Sequence, residues 1–150
     1  MKQITKVTAL TVLFSFCFFV SSSLADSEGI IKYRKNVMKS SGSHMGAIMD
    51  IFKNDLPLQS HILDHALSIN QNSEMILDMF PIGSGIGDTK AKQAIWENWS
   101  KYESAVNAFV RESSKLVKVA ESGDMKAIAK QFRATGKTCG ACHKNFKKRD

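Results

Sequence analysis

The chain has 150 residues, 23% of them charged, a formal net charge of +7 and a sequence pI of about 9.4. That length suits one ordinary domain around a single core. A charge this modest, with no nucleic-acid-binding motif beside it, leaves no case for nucleic acid as a partner.

Lys2 and Lys6 form a short basic region, residues 9–20 are almost unbroken apolar sequence, and residues 21–25 supply small side chains. Ser23-Leu24-Ala25 fits the small-x-small rule, so residues 1–25 read as a signal peptide cleaved after Ala25. A membrane anchor is the competing reading. The apolar run is shorter than the ~20 residues of a spanning helix, so no stable membrane insertion is expected. The expected mature domain, 26–150, is exported to the periplasm. Losing Lys2 and Lys6 takes two charges from +7 and leaves +5, and Cys17 is lost with them.

Four helical stretches follow, with no strand-like alternation between them. The first, about 30–53, carries Ile31, Arg34, Met38, Ser41, Met45, Ile48 and Phe52 in steps of three and four. The second, about 58–80, repeats that rhythm with Ile62, Ala66, Ile69, Ser73, Ile76 and Phe80. Pro81 and the glycines at 83, 85 and 87 then break the chain. Asp88 or Thr89 is expected to cap a third helix to about residue 120, with the stripe Ile95, Trp99, Tyr102, Val106, Phe109, Ser113 and Leu116. Gly123 ends it, and Asp124 is a good N-cap for the fourth.

The fourth stripe is Met125, Ile128, Phe132, Thr135, Cys139, Cys142 and Phe146. It contains Cys139-Gly140-Ala141-Cys142-His143, the attachment pattern of a c-type haem. Two thiols three apart lie on one helix face, where they can bond both vinyl groups along one porphyrin edge. His143 then falls beneath the iron as an axial ligand. A redox dithiol should sit beside a βαβ pattern, and a zinc site needs a second ligand pair; neither is visible. Because both cysteines lie in the apolar seam, the haem must point between helices. The expected fold is all-α, an antiparallel four-helix bundle with haem held inside near one end.

These features together resemble the class II cytochrome c family, which contains cytochrome c′ and its low-spin four-helix relatives. The resemblance spans the mature chain: Tyr33-Arg34, Met38 and Ser43-His44-Met45-Gly46 in the first helix, Lys90-Ala91-Lys92 before Ile95-Trp96, and the haem motif followed by Phe146. It implies one covalent haem c on Cys139 and Cys142, with His143 as the proximal ligand to iron. It also sets Met38 against the opposite face of the iron. There the residue either binds as sixth ligand, as in the low-spin relatives, or screens an open site, as in five-coordinate cytochrome c′. Met38-Lys39-x-x-Gly42 resembles the low-spin type and favours ligation, whereas Arg34 is also familiar from cytochrome c′. The resemblance further implies a homodimer through the first two helices, although no exposed apolar stripe demands one.

Arg34 falls on a face that should be buried, where a guanidinium is costly unless paired. Its expected partner is a haem propionate; the alternative is a frayed helix start open to solvent. His61 and His65, four apart, and nearby His44 invite a metal reading, but zinc needs a further ligand and surface histidines are the simpler expectation. His44 as a sixth iron ligand would require the first helix to rotate. Met45, Met49, Met75 and Met79 read as core or haem-edge packing, and Trp96, Trp99 and Phe109 as core or haem neighbours. Lys144, Lys147, Lys148 and Arg149 suit the negative end of the last helix. They also suit a basic collar for an acidic redox partner.

No nucleophile–base pair is recognisable, so no enzyme is expected. The leading expectation is electron transfer, with Met/His ligation raising the potential. The alternative is a five-coordinate cytochrome c′ that takes a diatomic gas, nitric oxide or carbon monoxide.

Overall fold

The computed structural model describes residues 18–149; most of the expected signal peptide, 1–17, lies outside the described residues. The described chain is helical: α1 (Phe18–Lys53), α2 (Ile62–Glu74), the single turn α3 (Ala94–Glu97), α4 (Trp99–Ser122) and α5 (Met125–Phe146). Among the described residues, no helix is long and apolar enough to cross a membrane.

Side-chain pairs set the directions. On α1 and α2, Ser40 meets Asn72 while His44 meets His65, so residue numbers run oppositely. On α4 and α5, Tyr102 meets Phe146 while Glu112 meets Gln131. Phe52 of α1 stacks near Phe132 of α5, and a Cβ added at Gly136 would stand 3.5 Å from Met45 Cε. The helices form the expected antiparallel four-helix bundle, in the ring order α1, α2, α4, α5.

The predicted stripes bury nearly as read. All six stripe residues of the second stretch are buried, as are Ile128, Phe132, Thr135 and Phe146 on α5. The polar members of the seam are satisfied by hydrogen bonds, as buried polar groups must be. Ser73 and Ser113 pair at 3.0 Å between α2 and α4, and Thr135 Oγ1 donates to Glu112 O at 3.1 Å. Gly123 takes the left-handed conformation (φ 69°) that ends α4, and Asp124 accepts from the backbone N–H groups of Lys126 and Ala127, capping α5.

Three boundaries differ from the sequence expectation. Helix α1 begins at Phe18, so it runs through the expected cleavage point after Ala25. The second stretch is not one helix from 58 to 80. Tight three-residue turns at Gln59–His61 and Leu77–Met79 flank α2, and the second lets Ile76, Met79 and Phe80 all reach the core. Asp88 and Thr89 cap nothing, because the third stretch stays irregular until α3 and breaks again at Asn98 (φ −132°, ψ 50°). That break rotates Trp99 out of the stripe. It is 38% exposed, against the core position expected, while Ile95 and Tyr102 on either side stay buried.

The irregular segment is fixed by long-range contacts. Ala91 and Lys147 form an antiparallel bridge, Lys92 N donates to Phe146 O at 2.9 Å, and Lys148 N donates to Lys90 O at 2.7 Å. Lys92 Nζ donates to Lys144 O at 3.1 Å, placing a cation at the negative end of α5. Trp96 Nε1 donates to Phe80 O at 3.0 Å. At Gly85 a Cβ would stand 2.6 Å from the Trp96 ring, so only glycine fits.

The histidines are not all surface residues. His61 is exposed, but His44 and His65 are partly buried, with Nδ1 atoms 2.9 Å apart and ring centroids 5.2 Å apart. One imidazole must be a neutral acceptor for that bond to exist. Burial first, then His44 and His61, hold His65 below its ordinary pKa, with Asp64 acting weakly the other way. A histidine lowered on folding contributes stability above its unfolded pKa of about 6.5, and loses it as pH falls. Melting temperature is therefore expected to be flat from about pH 8 to 7 and to fall below about 6.5. In His65→Gln that acid-side fall should be shallower; parallel curves for the two proteins would refute a role for the pair.

Candidate functional site

Helices α1 and α5 approach through Phe52 and Phe132, and residues of α1, α4 and α5 line a cavity of about 720 Å³. That volume falls within the range of about 300–1,000 Å³ typical of ligand pockets. Met38, Gly42 and Met45 of α1 form one wall, and Cys139, Cys142 and His143 of α5 form another. Tyr102, Val106 and Phe109 of α4 make the floor, and Lys35, Lys39, Lys90 and Lys147 add basic groups to its lining. All five site residues expected from the sequence therefore line one cavity: Arg34, Met38, Cys139, Cys142 and His143.

Burial pushes the Cys139 thiol up and the Cys142 thiol up to about 11. Reactive dithiols work by the opposite shift, so the pair is unsuited to thiol exchange and suited to an apolar site. Burial against the cavity wall, then Lys147, lower the pKa of His143. The neutral imidazole that metal ligation needs is thereby favoured.

Arg34 is neither frayed nor solvated; it is 3% exposed, well inside α1. Nη1 donates to Ser84 Oγ at 3.0 Å and Nη2 to Ser84 O at 2.7 Å. Thr89 Oγ1 also accepts from Nη2, and Met79 O lies at 3.5 Å from Nη1. Its Cζ stands 4.6 Å from the centroid of the Phe80 ring. Every one of these partners is neutral. The sequence indicated burial here but not the loop 80–89 as partner, because those contacts span 45 to 55 residues.

Other candidates lie apart. His44 faces α2 and is absent from the cavity lining, so it is no sixth ligand in this arrangement. Among the described residues, no group of three or more His, Cys, Asp or Glu is placed to hold a metal ion. Trp96 is tied to the loop backbone, Trp99 is exposed, and of the three aromatics only Phe109 lines the cavity.

A haem fits these residues on independent grounds. Two sulfurs and an imidazole of α5 line the same largely apolar cavity as a thioether of α1. The buried guanidinium has no carboxylate partner among the described residues, and a propionate would supply the missing charge. The buried Tyr102 hydroxyl also lacks a hydrogen-bond partner.

The family model described as cytochrome C′ matches residues 29–147. Cytochrome c′ from Rhodospirillum rubrum is 35% identical over 148 residues, 98% of this chain and 99% of that protein. Cytochrome c-556 from Agrobacterium tumefaciens (strain II Chrys) is 29% identical, over 79% of this chain and 97% of that one. A nitric oxide complex of a mutant of cytochrome c prime from Alcaligenes xylosoxidans superposes with a TM-score of 0.77. It is 25% identical and covers 83% of this chain and 97% of its own. With the haem motif facing a haem-sized cavity in a four-helix bundle, the chain belongs to the cytochrome c′ family and is a monohaem c-type cytochrome carrying covalently attached haem c.

Proposed function

We propose that this cytochrome binds a diatomic gas, nitric oxide or carbon monoxide, on the haem face covered by Met38, and that it is not an enzyme. When bound, haem supplies a redox-active iron able to take an axial ligand. Cys139 and Cys142 would hold the porphyrin, and His143 would offer its neutral imidazole to the iron. Met38 would crowd the remaining space beside the iron and admit only small ligands. The observation that carries this reading is that Met38 of α1 and His143 of α5 line the same largely apolar cavity. The 35% identical cytochrome c′ and the nitric oxide complex of the superposed relative favour it over the carrier expected from sequence.

Electron transfer remains the second reading, favoured by the same thioether as a candidate sixth ligand. The loop bridge also gathers Lys90, Lys92, Lys144, Lys147 and Lys148, which suits an acidic redox partner. Export to the periplasm with cleavage after Ala25 belongs to the proposal, and the intact mass of the mature protein tests it. A homodimer through α1 and α2 also belongs to the proposal, and sedimentation velocity of the holoprotein would test it.

Resonance Raman and absorption spectra of the holoprotein separate the two functions. A high-spin spectrum that responds to carbon monoxide supports gas binding. A low-spin ferric spectrum with a methionine–iron charge-transfer band, lost in Met38→Ala, supports the carrier and sinks the main reading. In the gas-binding case, Met38→Ala removes the group a ligand must displace. Carbon monoxide affinity should then rise by about tenfold or more; an unchanged affinity would show that Met38 screens nothing.

A further inference from the structure

Tyr102 is 2% exposed, and its hydroxyl is a buried polar side-chain atom without a hydrogen-bond partner. Leaving such a group unpaired costs about 1–3 kcal/mol, so natural chains rarely carry one without a use. The ring is held edge-on by Phe80 at 5.1 Å and by Phe146 at 5.3 Å, and Trp99 lies at 5.5 Å. Aromatic contacts hold the ring among Phe80, Trp99 and Phe146, and Tyr102 is one of the residues that line the cavity.

The surroundings select the acceptor. Phe80 touches Tyr102 on one side and lies under the Arg34 guanidinium on another, at 4.6 Å from its centroid to Cζ. A neutral donor and a buried cation thus flank one aromatic ring. The donors of Arg34 go to Ser84, Thr89 and Met79, so it contributes charge. Tyr102 has a proton still to give. Burial drives the phenol pKa far above its ordinary value, keeping the group a donor at any physiological pH. A buried cation beside a free O–H is a site for a carboxylate. The only hydrogen-bonding groups haem itself presents at its periphery are its two propionates.

Resting on the haem reading above, we propose that the Tyr102 hydroxyl donates a hydrogen bond to a haem propionate inside the bundle. Arg34 provides the charge complement there. α4 thereby gains a polar hold on a cofactor otherwise anchored through α5. It is a positioning role, fixing the orientation of the macrocycle in the slot between Met38 and His143.

The test is Tyr102→Phe in the holoprotein, which keeps the ring and its packing and removes one oxygen. Resonance Raman spectra of wild type and variant are compared in the propionate-bending region, with and without carbon monoxide. The expected result is a shifted propionate band with an unchanged C–O stretch. The reduction potential should also fall, because a carboxylate stripped of a donor places more negative charge near the iron. An unchanged propionate band in a normally haem-loaded variant overturns the inference while leaving the haem reading intact. A C–O stretch that shifts instead overturns it too, by assigning the hydroxyl to the iron-bound gas. A wild-type protein without haem absorption would fail both at once.

Discussion

In the double variant Cys139→Ser/Cys142→Ser, made alongside the haem-attachment machinery, the intact mass should be that of the bare chain, whereas the wild type carries one haem. Both sulfurs face the same cavity from one side of α5, and the third cysteine, Cys17, falls in the expected signal peptide, so no other thiol can replace them. The consequence for stability is large. Without the cofactor, the largely apolar walls of a cavity of about 720 Å³ stay in contact with water, and apolar surface left unburied forfeits about 25 cal/mol per Å². A domain is held folded by only roughly 5–15 kcal/mol. The haem-free variant should therefore melt more than about 10 °C lower, or lose cooperative melting while keeping its helices. A sharp transition within about 2 °C of wild type would mean that the bundle holds itself open without a cofactor.

Arg34→Ala is expected to be the most destabilising single substitution outside the apolar core. Its guanidinium ties α1 to a loop some 50 residues away, through Ser84, Thr89 and Met79. Hydrogen bonds from a charged donor contribute about 1.5–3 kcal/mol each, and their loss leaves buried acceptors unpaired. A net cost of about 3 kcal/mol corresponds to a fall of roughly 10 °C in Tm for a domain of this size. Arg34→Lys should recover only part of it, because an ammonium cannot reproduce the planar fork. Limited proteolysis should then cut the loop between Phe80 and Gln93 first. Wild-type Tm in Arg34→Ala would show that the Gln93 and Trp96 contacts hold the loop alone.

Much of this was legible in the sequence because helix periodicity is a local signal. The stripes on α2 and α5 follow from steps of three and four, and so does the placement of Cys139 and Cys142 in the seam. Gly123 and Asp124 mark the α4–α5 turn through chemistry confined to a few residues. What escaped depends on partners far along the chain. The segment around Thr89 carries helix-capping residues, yet Thr89 Oγ1 accepts from Arg34 and from Ala91 N, and the backbone nearby pairs with residues 146–148. The break at Asn98 has no proline or glycine to announce it, and it moved Trp99 outward. His44 and His65 look like separate surface residues until α1 and α2 are packed. Tyr102 read as one more member of a stripe, since a missing hydrogen-bond partner can be seen only in the folded chain.

Gas binding and electron transfer alike require the haem to stand in the slot between α1 and α5, with Met38 on one face and His143 on the other. Electron density of the crystallised holoprotein decides that placement. It should show a porphyrin plane inside the bundle, bonded to both cysteine sulfurs, with the imidazole of His143 on the iron and the Met38 side chain across from it. A porphyrin lying along the outer face of α5, with the cavity closed by side chains, would refute it.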